Sequence, residues 1–146
     1  PKIINSAKRK NELITFLFMD IDHFKQYNDN YGHPKGDEVL VEFAKCLKNN
    51  LHRASDFAFR LGGEEFAIVY QPETKEKAIE FANTIKENIE KLQIKHEFSS
   101  VRLYVTASMG LVCKEANNID DKIYKEADDL LYEAKKSGRN QIKVND

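Results

Sequence analysis

Two carboxylates close an apolar run near the start of the chain: Leu13-Ile-Thr-Phe-Leu-Phe-Met19 leads directly into Asp20-Ile-Asp22. A carboxylate at the end of a buried segment must be solvated, hydrogen-bonded or neutralised by a cation. In extended chain Asp22 points to the same side as Asp20. Either aspartate, taken singly, would serve as a cap for a helix starting near His23. A second acidic element changes the weighing. Glu64-Glu65 follows Gly62-Gly63 between two β-rich runs, a place where a tight turn lets the main chain approach a ligand closely. Adjacent like charges cost energy unless solvent or a metal offsets them, so the alternative is a solvated acidic hairpin tip. If the hairpin lies beside the first strand, Asp20 converges with Glu64 or Glu65. Hard oxygen ligands of this kind suit Mg²⁺, with Mn²⁺ as a substitute. Carboxylate-held Mg²⁺ is a recurring solution for phosphoryl transfer, where it activates a hydroxyl and stabilises charge on the phosphate. Lys135 and Arg139, four residues apart, either complement a helix C-terminus or offer two phosphate ligands on one helix face, with Lys25 joining from an earlier helix.

These residues need a scaffold, and the chain can build one. It has 146 residues, 41% hydrophobic and 32% charged, which suits a single domain with a core. No apolar run approaches the roughly 20 residues that cross a bilayer. The net charge of −1 argues against a broad basic field for coating nucleic acid. Cys46 and Cys113 sit in apolar helix- and strand-like segments without metal spacing and read as reduced core thiols, which fits a cytoplasmic compartment. The Leu13–Met19 run is strand-length and apolar on both faces. A short helix is expected over His23–Tyr31, broken at Gly32-His33-Pro34. Leu40, Phe43, Ala44, Leu47 and Leu51 recur at helical spacing. Phe57–Leu61 and Glu65–Tyr70 form a hairpin around the two glycines. Pro72 and Thr74 announce a long helix through Ala78, Phe81, Ala82, Ile85, Ile89 and Leu92. Val101–Cys113 reads as a strand, paired with residues near Ile94–Phe98. Ile123, Ala127, Leu130, Leu131 and Ala134 mark a last helix stopped by Gly138, and Gln141–Val144 a final short strand. The order β-α-α-β-β-α-β-α-β predicts an α+β fold, a ferredoxin-like antiparallel sheet flanked by helices.

Five motifs in order then carry a resemblance. Asp20-Ile-Asp-His-Phe-Lys-Gln-Tyr-Asn-Asp-Asn-Tyr-Gly-His33, Gly36-Asp37, Arg60-Leu-Gly-Gly-Glu-Glu-Phe66, Ser108-Met-Gly110, and the closing set Ala127-Asp128, Tyr132, Ala134-Lys135 and Gly138-Arg139-Asn140 resemble the GGDEF family of diguanylate cyclases. The likeness runs from about Leu13 to Val144. A bare Gly-Gly-Glu-Glu-Phe is a weak signal, but the ordered set is specific.

The resemblance implies a fold like the palm of nucleotidyl cyclases and condensation of two GTP into cyclic dimeric GMP with release of two pyrophosphates. By position, Asp20 and the Ile21 carbonyl would hold Mg²⁺. Glu64 and Glu65 would share metal binding and the role of base toward the 3′-hydroxyl, undivided between them. Asn28 and Asp37 would hydrogen-bond the guanine edge. Adenine would leave the carboxylate unpaired, at roughly 1–3 kcal/mol. Lys25, Lys135 and Arg139 would bind the triphosphate, and Gly62 and Gly63 would let the main chain pass the α-phosphate. His33 would lie near the nucleotide or serve as a structural helix-end residue, and Phe24 beside the nucleotide or in the core. Arg53-Ala-Ser-Asp56, an exposed ion pair of little worth when read alone, matches the family's inhibitory Arg-x-x-Asp site for cyclic dimeric GMP.

The resemblance thus implies an active cyclase working as a transient two-fold homodimer, without nucleic acid and without membrane contact from this domain. The competing readings are a catalytically silent module that senses GTP or cyclic dimeric GMP, and a cyclase of altered substrate, against which Asn28 and Asp37 argue. The family's Asp-x-Leu-Thr-x-Leu-x-Asn-Arg opening is missing before Pro1. Residues 1–146 are therefore expected to be one catalytic domain cut from a longer signalling protein, which a membrane could tether.

Overall fold

The computed structural model describes residues 2–146; Pro1 and the expected upstream cut lie outside them. The first strand, β1 (Leu13–Ile21), is buried along its length after Leu13 because it lies at the middle of the sheet. The other strands are β2 (Phe57–Gly62), β3 (Glu65–Tyr70), β4 (Ala107–Glu115) and β5 (Ile142–Val144). Their order across the sheet is β2-β3-β1-β4-β5. The first four pair antiparallel, as expected, and β5 joins β4 in parallel, so the sheet is mixed. Helices cover both faces: α1 (Lys2–Lys10), α2 (Phe24–Tyr31), α3 (His33–Asn49), α4 (Lys75–Lys91) and α5 (Ile123–Lys136).

Alternation along β1 builds two cores. Leu17, Met19 and Ile21 face one core with Phe43 of α3 and Ile85 of α4. Ile14, Phe16 and Phe18 face the other, with Ile3 and Ala7 of α1 and Leu131 of α5. Helix α1 was not expected. Ile3 and Ala7, one helical turn apart, are deeply buried and Ile4 packs beside them, a short helical pattern that sequence reasoning missed. Thr74 caps α4 as expected, accepting the Lys77 N–H at 3.1 Å.

The expected Val101–Cys113 strand begins only at Ala107. Upstream, residues 94–105 form a loop pinned by one antiparallel bridge, Lys95 to Tyr104. Within it His96 is fully buried, its Nε2 lying 3.0 Å from the His23 carbonyl. Leu51 lies past the end of α3. Gly110 explains how α5 comes to rest on the sheet. A β-carbon there would meet the Ala127 carbonyl oxygen at 2.4 Å and the Leu131 nitrogen at 2.6 Å, so only glycine permits this approach.

Candidate active site

Sheet register brings the two acidic elements together. Asp20 at the end of β1 is opposite Glu65 at the start of β3, and the Ile21 N–H donates to the Glu64 carbonyl at 3.2 Å. The turn between β2 and β3 has Gly62 at φ +152° and Gly63 at φ +51°. No protein atom lies within 4 Å of a β-carbon built on either glycine, so that space is open to a ligand. Arg60, whose part sequence reasoning missed, clamps the turn: its Nε donates to the Gly63 carbonyl at 2.8 Å. Its position two residues before the glycine pair was the only available signal.

Asp20 is buried. Lys135, reaching in from α5, donates to its Oδ2, while Oδ1 is buried without a partner. Burial pushes the Asp20 carboxyl up to about 6, against the pull of Lys135 and with the help of the Glu64 and Glu65 charges. Such an environment favours an added cation. Among the described residues no three His, Cys, Asp or Glu side chains form a metal cage. Mg²⁺ needs none, since one or two carboxylates with water and substrate phosphate suffice. The orphaned oxygen and the adjacent glutamates therefore fit a hard divalent ion.

Asp22 does not cap the helix, the role open to either aspartate when read singly. Its carboxylate accepts from Thr106 Oγ1 at 2.7 Å, Ser108 Oγ at 2.6 Å and the Asn140 N–H at 3.1 Å. His23, the residue before α2, is in left-handed conformation with φ +54°, and no side chain caps the helix. The Asp22 network ties β4 and the chain after α5 to the end of β1. Gly138, Arg139 and Asn140 run in succession at positive φ beyond the end of α5 at Lys136, so Arg139 does not share a helix face with Lys135 as expected, and the turn brings the Asn140 N–H to Asp22. Burial, and next the nearby Arg139 charge, lower the His23 pKa. The hydroxyls of Thr106 and Ser108 in an apolar segment were the signal for this network.

The remaining candidates divide between the core and the surface. Phe24 is in the core, stacked on Tyr27 with ring centroids 6.3 Å apart. Asn28 of α2 lies against Gly36 of α3, and Asp37 follows exposed. His33 opens α3 and is exposed, as is Lys25 on α2. An open cavity of about 400 Å³ between the hairpin and α5 is lined by Leu61, Glu65, Tyr124 and Asp128.

Arg53 and Asp56 sit apart from this cluster, in a cavity of about 330 Å³ shared with Tyr70, Gln71, Glu73 and Phe81. Arg53 donates to the Gln71 carbonyl at 2.6 Å and lies 4.0 Å from Glu73. Asp56 has a buried, unpartnered Oδ1, and burial raises its pKa.

Comparison with known proteins is consistent across sequence and structure. The family model described as "Diguanylate cyclase, GGDEF domain" matches residues 2–141. The diguanylate cyclase VdcA of Vibrio cholerae is 41% identical over 130 residues, 88% of this chain and 38% of its own length. The chain spans about a third of the length of the first curated relatives it matches, 32% and 38%. Among solved structures, the GGDEF domain of DgcB from Caulobacter crescentus in complex with c-di-GMP superposes with TM-score 0.84 at 28% identity, covering 98% of this chain and 84% of that one. The active GGEEF domain of a diguanylate cyclase from Vibrio cholerae gives TM-score 0.80 at 32% identity, covering 98% and 89%.

Proposed function

The chain belongs to the GGDEF domain family, and from that membership we propose that it condenses two GTP molecules into cyclic dimeric GMP and two pyrophosphates. The observation that carries this reading is the meeting of Asp20, Glu64 and Lys135 beside an open Gly62-Gly63 turn, with one Asp20 oxygen left unpartnered. A silent sensor module has no need to retain that buried carboxylate beside two more, because Lys135 partners one Asp20 oxygen and leaves the other without a counter-charge.

In this reading Asp20, Glu64 and the Ile21 carbonyl hold Mg²⁺, with Glu65 beside them. When bound, the ion offsets charge on the phosphate and lowers the pKa of the attacking hydroxyl. Glu64 or Glu65 accepts the 3′-hydroxyl proton as that oxygen bonds to the α-phosphorus of the second GTP and pyrophosphate departs. Lys135 exchanges Asp20 for the triphosphate as substrate enters, and Arg139 and Lys25 bind the same group. Asn28 and Asp37 hold the guanine. One chain carries one such constellation, so two chains must face each other about a two-fold axis for both bonds to form. Arg53 and Asp56 bind the product and restrain turnover, the arginine exchanging the Gln71 carbonyl and Glu73 for a guanine or phosphate.

The test is incubation of the purified chain with GTP and Mg²⁺, with ATP in parallel, and identification of products by mass spectrometry. Cyclic dimeric GMP from GTP alone is expected, and its loss by orders of magnitude in a folded Glu64→Gln variant. GTP binding without product would leave a sensor and refute the enzyme.

A further inference from the structure

Gly36 is buried where α2 and α3 meet, and it faces the side chain of Asn28. A β-carbon on Gly36 would lie 1.7 Å from Asn28 Oδ1 and 2.8 Å from Asn28 Cγ, with Phe24 Cζ at 3.3 Å. Asn28 Oδ1 is itself buried and accepts no hydrogen bond. One end of the amide is thus seated against the glycine. A carboxamide has two ends, and the seat holds one of them. The next residue in α3, Asp37, is exposed and, when ionised, accepts hydrogen bonds only.

We propose that Gly36 is a positioning residue for nucleobase recognition. By lacking a side chain it leaves room for the end of the Asn28 amide, which seats that amide in one place for the nucleobase. The proposal rests on the guanine reading of Asn28 and Asp37. It adds that the place of the Asn28 amide is set by the room that Gly36 leaves. Guanine complements an amide beside a carboxylate, with acceptor atoms O6 and N3 flanking the N1–H and N2–H₂ donors. An amide without that seat would meet the base in several places, and selectivity against other purines would fall.

Gly36→Ala tests the idea, because the atom its methyl meets is the far end of a flexible side chain and not backbone. The amide must swing out of its seat while α2 and α3 stay in place. Calorimetric titration with the α,β-methylene analogue of GTP and Mg²⁺ should show affinity reduced at least tenfold. Steady-state kinetics should place the loss in KM more than in kcat, and the preference for GTP over ATP should shrink. Binding of cyclic dimeric GMP to the Arg53 site and the urea midpoint should stay near wild type. A double-mutant cycle with Asn28→Ala then isolates the route. Asn28→Ala alone should weaken analogue binding, and Gly36→Ala on that background should add nothing further.

Additive losses, or wild-type affinity in Gly36→Ala, would overturn the proposal and leave the guanine reading standing. Loss of analogue binding, product binding and urea resistance together would also overturn it, since the glycine would then be merely structural. Wild-type affinity in Asn28→Ala would remove the guanine reading and this proposal with it.

Discussion

Gly110→Ala should damage stability and activity through one displacement. The new β-carbon would sit 2.4 Å from the Ala127 carbonyl oxygen and 2.6 Å from the Leu131 nitrogen, where ordinary contact begins near 3.4 Å. Both are backbone atoms of α5, so no side-chain rotation relieves the overlap. The helix must lift by about 1 Å or the strand must bow, and β4 is held by β1 on one side and β5 on the other. Overpacking of this kind costs about 1–3 kcal/mol. The lift also reaches the site, because α5 carries Lys135, whose ammonium pairs with Asp20. Misplacement by about 1 Å can cost roughly a hundredfold in rate. Urea unfolding should show a lower midpoint at unchanged slope, and product quantification should show turnover reduced on the order of a hundredfold. Stability within about 0.5 kcal/mol of wild type, the range of ordinary surface substitutions, would refute the claim that this contact sets the seat of α5.

Three further outcomes follow from the site. Burial holds the Asp20 carboxyl at about 6 against an ordinary 3.8, so the folded chain binds that proton more tightly than the unfolded one. Without divalent ions, Asp20's contribution to stability should therefore fall as pH rises from about 4 to about 6 and then level off, a loss of about 2–3 kcal/mol. Chemical denaturation of Asp20→Asn at pH 4 and pH 8 should lack that loss, and an equal decline in both proteins would contradict the assignment. Arg53→Ala should weaken cyclic dimeric GMP binding at least tenfold by calorimetry while the methylene GTP analogue binds normally; equal product affinity in the two proteins would remove the second site. Specific activity should rise with protein concentration, and constant activity across a hundredfold dilution with monomers in sedimentation would rule out the facing pair.

Much of this architecture was legible residue by residue. A seven-residue apolar run, two glycines between β-rich stretches, a Thr74 cap and helical spacing through Ile85 and Ile89 act over a few neighbours, and each produced the element it implied. The candidate site was legible as a list, since Asp20, Glu64, Glu65, Lys135 and Arg139 stand in ordered motifs. What each does to the others was not. Asp20 and Lys135 are separated by 115 positions, and Asp22 finds its partners 84, 86 and 118 positions away. Whether a carboxylate caps a helix or anchors a hydroxyl network depends on which donors the fold delivers, and no local pattern carries that. Strand order, the parallel entry of β5, the loop where a longer strand was expected and the seating of Asn28 by Gly36 belong to the same class. Propensity and turn chemistry are short-range and survive in the bare sequence. Burial, pairing and close approach arise only when distant segments displace water from one another.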